Sequence, residues 1–494
     1  MANNKSDLGR FFKHSGIYAI GNVLNRIGAF ILLPIYTTHL SVSEYGVLEL
    51  FYMISAVISG ILAIGIAHAT LRFYFEYENI NDRNAVVSTN IITSSLIAVI
   101  GCLIVILFRD DVVNIVFGGS DNNFHSGLYI ILITMILELS SQVCLSYIRA
   151  RELSVFYVML SLIKLVIQVA ANIYTVIVLE AGIVGILAGN LAAVAIGWLV
   201  LMSYTLINCG VNFHLEKMKI MLTYSYPFLL GTLVGLIAMN ADRFMLNKMI
   251  GLEAVGIYAL AYKLTMLIDV LVAEPFSKSY GAYRFSIMNN DDSAQVQANI
   301  TKYMAIIVAI SLMVIVLPAN EVIKLMTTPE YYQAIAILPV LIFLGAIKVF
   351  TYIFQTGILY KKETRHLFTL SIIGCVAIII LNYFFISMMG LLGACIAKVL
   401  AATIVLVATN YISQKYYFVS YPYIQIFKVF LITVIFMSLG VSVNDLEYLY
   451  AIPIKIIIFI MMLLALYFSN ILTMAEKKMA VNFVFSKFSK LGRT

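Results

Sequence analysis

The chain has 494 residues, of which 62% are hydrophobic and 12% charged, and its mean hydropathy is +0.97. A soluble protein carries about a quarter charged residues, so a soluble globular domain is excluded. Apolar runs long enough to cross a bilayer as helices recur from end to end.

In chain order, the start "MANNKSDLGRFFKHSG" runs into a full-length apolar stretch without a small-residue cleavage site. That pattern predicts a retained first helix rather than a signal peptide. Fourteen membrane-spanning helices are predicted, at 17–36, 46–69, 85–108, 128–148, 155–179, 182–206, 222–249, 255–279, 298–318, 334–358, 366–387, 391–413, 423–441 and 449–473. They are called spans 1 to 14 below. The longest links, near 109–127 and 280–297, read as polar loops. The tail "AEKKMAVNFVFSKFSKLGRT" sets Val481, Val484, Phe485, Phe488 and Leu491 at helical spacing against lysines. This predicts an amphipathic helix on the inner leaflet, with a solvated basic tail as the alternative.

Lys and Arg orient the spans. With the N-terminus inside, twenty fall on the cytoplasmic side and three (Arg109, Lys248 and Lys324) on the outer side. Both termini are therefore expected in the cytoplasm. The net charge of +7 reflects topology and attraction to anionic lipid, not nucleic-acid binding. Cys102, Cys144, Cys209, Cys375 and Cys395 lack metal-like spacing, so they read as small membrane residues. No HExxH and no GxxxxGK[ST] phosphate loop occurs. No cofactor, metal or catalytic residue is expected.

An internal repeat emerges when the segment from His14 is set over the segment from Tyr224. Ser15 then meets Ser225, Gly21 meets Gly231, Ile27 meets Ile237, Gly46 meets Gly256, Leu50 meets Leu260 and Tyr52 meets Tyr262. Span 1 pairs with span 7 and span 2 with span 8. Six helices per half is an even number, so the halves run the same way, a parallel repeat about the membrane normal. The expected division is 1–207 and 208–415 for two six-helix lobes, 416–474 for spans 13 and 14, and 475–494 for the basic tail.

"LPIYTTHLSVSEYGVLEL" and "YSYPFLLGTLVGLIAMNADRFMLNKMIGLEAVGIYALAYKL" resemble the polysaccharide-transporter family of Wzx-type lipid-linked oligosaccharide flippases. That family shares a superfamily with MATE antiporters and MurJ-type lipid II flippases. The resemblance implies an all-α membrane fold of the MATE/MurJ kind and a bacterial inner-membrane location. It implies an undecaprenyl-diphosphate-linked glycan as cargo, with membrane lipid, a polysaccharide polymerase and a chain-length regulator as partners. A MATE-like exporter of small cations is the rival reading. A membrane-embedded glycan polymerase or ligase is a further rival, disfavoured because no loop is long enough for an outer catalytic domain.

Charges at membrane depth are costly and usually face a bundle interior. Nine basic residues fall in spans: Arg26, Lys164, Arg243, Lys263, Lys302, Lys348, Lys398, Lys428 and Lys455. Lys302, Lys428 and Lys455, near span ends, are expected to snorkel. Arg26, Lys164, Lys263, Lys348 and Lys398 are candidate contacts to an anionic headgroup, since Arg and Lys form charge-assisted bonds to phosphate. In MurJ-type relatives the cavity is cationic, with basic residues from helices 1 and 8, which the resemblance carries to Arg26 and Lys263. Glu49, Glu138 and Asp269 are candidate ion-coupling carboxylates. Span 1 holds no carboxylate, unlike one branch of MATE antiporters. Asp242 and Arg243 project about 100° apart on a helix, so each needs a partner on another helix. They are the candidate gate or interhelix ion pair.

Overall fold

The computed structural model describes residues 28, 30–119, 122–474, 476 and 477. Every regular element among them is helical and none is a strand. Among the described residues, eleven helices are long and apolar enough to cross a membrane, and Leu215–Tyr226 with Gly231–Met249, bent by 51°, makes a twelfth. One of the eleven, Arg365–Tyr416, has 52 residues, about twice what a bilayer needs. It turns at Gly390 (φ 59°, ψ −131°), a backbone conformation that only glycine adopts without strain. The predicted spans 11 and 12 lie on either side of that residue. Span 1 falls mostly outside the described residues, which take in only residues 28 and 30–36 of it, the last of them in the short helix Leu33–His39. The tail helix predicted over 475–494 also lies outside them, apart from Glu476 and Lys477.

Local signals explain several boundaries. Span 2 opens on a capping box, with Ser41 Oγ accepting from Glu44 N at 3.2 Å and Glu44 Oε2 accepting from Ser41 N at 2.9 Å. It continues to Glu76 across a kink at Ile64 and Gly65, both left-handed. The link expected as a loop at 109–127 instead contains the helix Arg109–Phe117. Asp110 and Asp111 in its first turn suit the helix dipole. Its buried Phe117 packs on Phe51 at 4.8 Å between ring centroids, so a short helix gains a core contact. Span 8 likewise runs on to Ser286, about two turns into what the sequence reads as a loop.

The chain packs as two compact units. The first comprises residues up to Ala259 with Met326–Tyr331 and Ser371–Ala394; the second comprises Leu260–Leu325, Tyr332–Leu370 and the chain from Cys395. Both expose large apolar side chains along their spans, among them Leu103, Leu107, Val166, Phe427 and Ile457. In water these would be an aggregation liability. On a spanning helix they are the lipid-facing surface.

Candidate functional site

In the first unit, spans 2 and 7 and the start of span 8 enclose a charged cluster. Glu49, Asp242, Arg243 and Tyr258 are all buried. Arg243 Nη2 lies 3.7 Å from Glu49 Oε2, and Tyr45 hydrogen-bonds Glu49. The Tyr258 hydroxyl donates to Asp242 Oδ2, while Asp242 Oδ1 accepts the Arg243 backbone N–H at 3.0 Å. The adjacent Asp242 and Arg243 thus engage different helices, as their angular separation requires. Tyr331, which closes the cluster from another segment, meets Tyr45 edge-on at 5.9 Å. Its hydroxyl donates to Ser41 O at 3.3 Å.

Glycines let these helices close up. A Cβ on Gly46 would overlap the Leu252 carbonyl and stand 3.2 Å from Gly256 N. A Cβ on Gly256 would overlap the Val42 carbonyl and stand 3.2 Å from Gly46 N. Gly256 and Leu252 each follow Gly46 and Val42 by 210 residues, the offset of the sequence repeat. The contact is therefore reciprocal: Gly46 meets Leu252, the repeat mate of Val42, and Gly256, the repeat mate of Gly46, meets Val42, as a two-fold relation requires.

Elsewhere in the first unit, Lys164 acts electrostatically on Glu138 of span 4. Its stem crosses Gly197, where a Cβ would sit 2.7 Å from Lys164 Cδ. Beside it runs a neutral network. Asn172 Nδ2 donates to Tyr36 Oη at 2.7 Å and to Asn190 Oδ1 at 3.1 Å; Gln168 Nε2 donates to Asn190 Oδ1 at 2.9 Å; Asn190 Nδ2 donates to Tyr52 Oη at 2.9 Å. These amides hold spans 5 and 6 to the first two.

In the second unit, Lys348 Nζ of span 10 pairs with Asp269 Oδ2 of span 8 at 2.7 Å. The Lys348 side chain is 60% exposed and that of Asp269 17%. Asp269 begins a π-helical turn, Asp269–Ala273, a widening often found at functional positions. Lys398 of span 12 stands 6.0 Å over the Tyr262 ring, and the next residue, Lys263, is half-buried.

Each of the three candidate coupling carboxylates therefore lies beside a cation from the candidate list or gate pair: Glu49 by Arg243, Glu138 by Lys164 and Asp269 by Lys348. Arg26 lies outside the described residues. Two lysines expected to snorkel do otherwise. Lys302 is buried and pairs with Glu476 at 2.7 Å, and Lys455 is buried and pairs with Glu321 at 2.6 Å. A nearby carboxylate makes burial cheaper than reaching for water. Lys428 is exposed. Sequence reasoning passed over Tyr45, Tyr258 and Tyr262 because tyrosine is abundant in membrane spans. The aligned Gly46 and Gly256 were the visible sign of the crossing. Among the described residues, no group of three or more His, Cys, Asp or Glu could hold a metal.

A family model described as "Polysaccharide biosynthesis protein" matches residues 11–280. No curated protein matches. Among solved structures, the chain is similar to "Lipid II flippase MurJ, inward closed conformation", with a TM-score of 0.73 and 15% identity over 92% of this chain and 99% of that one. It is similar to the inward-facing form of a multidrug resistance MATE family transporter of the MOP superfamily (TM-score 0.64, 15% identity, 81% and 94% covered). The outward-facing form gives a TM-score of 0.61 at 15% identity, covering 82% and 95%. The fold is of the MurJ/MATE kind, that of membrane transporters.

Proposed function

The chain belongs to the polysaccharide biosynthesis protein family, and from that premise we propose that it flips a polyprenyl-diphosphate-linked oligosaccharide across the bacterial cytoplasmic membrane. The carrying observation is Lys348. A lysine near the middle of a spanning helix that leaves 60% of its side chain uncovered cannot face hydrocarbon, so that face borders a water-filled path. Lys263 and Lys398 on spans 8 and 12 add positive charge, with Asp269 as the offsetting acid. A cationic lining suits a diphosphate. It disfavours the MATE-like alternative, a path for small cations, which the fold alone leaves open.

In this reading the lobes 1–207 and 208–415 alternate access to the two sides, with both termini in the cytoplasm. Arg26 and Lys164 are further contacts to the anionic headgroup. Glu49, Asp242 and Arg243 form the outer gate, and Glu138 and Asp269 couple transport to an ion gradient. The cargo is an O-antigen, capsule or exopolysaccharide unit on undecaprenyl diphosphate, delivered to a polymerase and its chain-length regulator.

The test is surface glycan measured against membrane abundance in cells lacking their own flippase. Lys263→Gln, Lys348→Gln and Lys398→Gln should each slow export by one to two decades at unchanged protein level. That follows from losing one charge-assisted contact of about 1.5–3 kcal/mol. Full export by all three would refute the cationic path.

A further inference from the structure

Arg284, near the end of span 8, is a buried cation. It is 5% exposed, and among the described residues no acidic side chain reaches it. Its guanidinium carbon lies 4.7 Å over Tyr352, 5.2 Å over Phe285 and 5.7 Å over Tyr280. Its hydrogen bonds are long: Nη1 to Tyr352 O at 3.3 Å and Nη2 to Tyr352 Oη at 3.5 Å. Nε is buried with no acceptor at all. Aromatic faces offset part of a buried guanidinium's desolvation, but an unpaired charge and an idle N–H leave much of it standing.

The surroundings are built rather than incidental. Gly281, one turn before Arg284, lets Tyr352 cross span 8, since a Cβ there would stand 2.8 Å from its hydroxyl. That hydroxyl donates to Ser277 O at 2.9 Å. Tyr360 donates to the Arg284 carbonyl and fixes the backbone beneath the guanidinium. Gln297 donates to Tyr360 Oη at 3.1 Å, and its own Oε1 is buried without a donor. Directly after Tyr360 come Lys361 and Lys362, both exposed. A planar donor fork with an idle N–H, the acceptor of Gln297 and two exposed lysines next in the chain after Tyr360 suit a hydroxyl-bearing phosphate ester.

We propose that Arg284, with Lys361 and Lys362 at its rim, is a binding site for a lipid-borne phosphate at the membrane edge of the second unit. The phosphate arrives either as the headgroup of an anionic phospholipid or as the diphosphate of a polyprenyl carrier. The flippase reading supplies only the side, the cytoplasmic leaflet. Binding itself is independent of transport.

Full-length protein in dodecyl maltoside micelles is titrated with phosphatidylglycerol or with polyprenyl diphosphate, and the rise in unfolding temperature gives a midpoint for each. Arg284→Gln should raise the midpoint about tenfold to a hundredfold for the lipid that occupies the site, the worth of one charged contact. Arg284→Lys should fall between, because an ammonium lacks the fork. Lys361→Gln with Lys362→Gln, on exposed positions that folding does not need, should raise the midpoint several-fold. An effect with phosphatidylglycerol assigns a resident headgroup, and an effect with the diphosphate alone assigns cargo. Wild-type midpoints for both lipids in Arg284→Gln overturn the site. Should that variant not fold, wild-type midpoints in Arg284→Lys and in the double lysine variant overturn it equally. Full export by Lys263→Gln, Lys348→Gln and Lys398→Gln alike would refute the cationic path of the flippase reading and leave these midpoints untouched.

Discussion

Replacing Glu49 by Gln tests whether the buried cluster of spans 2, 7 and 8 is a gate. The substitution keeps shape and removes charge, leaving Arg243 buried beside a neutral amide. Asp242 already accepts from Tyr258 and from the Arg243 backbone. Removing one member of a buried ion pair costs about 3–5 kcal/mol. The Glu49–Arg243 contact is 3.7 Å, longer than the usual distance for charge-assisted bonds, so the lower end, about 3 kcal/mol, applies. That is a factor of more than about a hundred in an equilibrium between closed and open arrangements. The assay is thiol labelling from the outer side at Thr37→Cys, with native Cys375, half-buried, changed to Ala. Thr37 is buried and its hydroxyl donates to Met326 O at 2.7 Å, so a thiol there reacts only when the segments part. Glu49→Gln should speed labelling sharply at normal abundance, and Glu49→Gln with Arg243→Gln should bring it partly back. Lower abundance with unchanged labelling would show a fixed clamp and refute the gate.

Three further outcomes are expected. Reporter fusions after Thr38, Glu180, Gly251 and Gly390 should read as outer, and those after Arg151, Lys217 and Lys362 as cytoplasmic; one inverted pair would overturn the topology. Gly256→Ala should lose export in the same glycan assay, because its Cβ meets backbone at Val42 and Gly46; full export would show that the crossing opens freely. Burial pushes the Glu476 carboxyl up, but bonds from Lys302, Tyr303 and Thr473 outweigh it and hold it down at about 2. A depressed acid stabilises above its unfolded value near 4.5 and loses that contribution as pH falls towards 2. Proteolytic release of the tail should therefore rise in acid, and Glu476→Gln should remove that pH dependence.

The spans were legible because hydropathy over about twenty residues reports burial in lipid whatever the tertiary packing. The capping box at Ser41 was legible in the same local way. The helix Arg109–Phe117 was not, since nine residues rich in Asp and Val carry a weak periodic signal until Phe51 supplies a partner. Pairings were harder still. Glu49 and Arg243 lie almost 200 residues apart, and which faces they occupy depends on helix rotation that composition does not encode. Lys302 and Lys455 were misread for that reason, and Arg284 was counted only as a topological charge. Gly46 and Gly256 were visible as matching letters, yet their contact needed the fold.

The reciprocal glycine crossing gives the chain an internal version of a homodimer seam. In a true dimer one mutation changes both sides of the axis at once. Here the two sides are separate codons, so each half of the seam can drift while the other holds the geometry. Val42 and Leu252, occupying equivalent places with different side chains, show such divergence already under way. Asymmetry is free to accumulate beside the axis, and the charged cluster is where it has done so. The repeat mates of Asp242 and Arg243 are Leu32 and Leu33, and that of Glu49 is Ala259. One half supplies the carboxylate and the other the guanidinium, an arrangement that two identical copies would have to make twice.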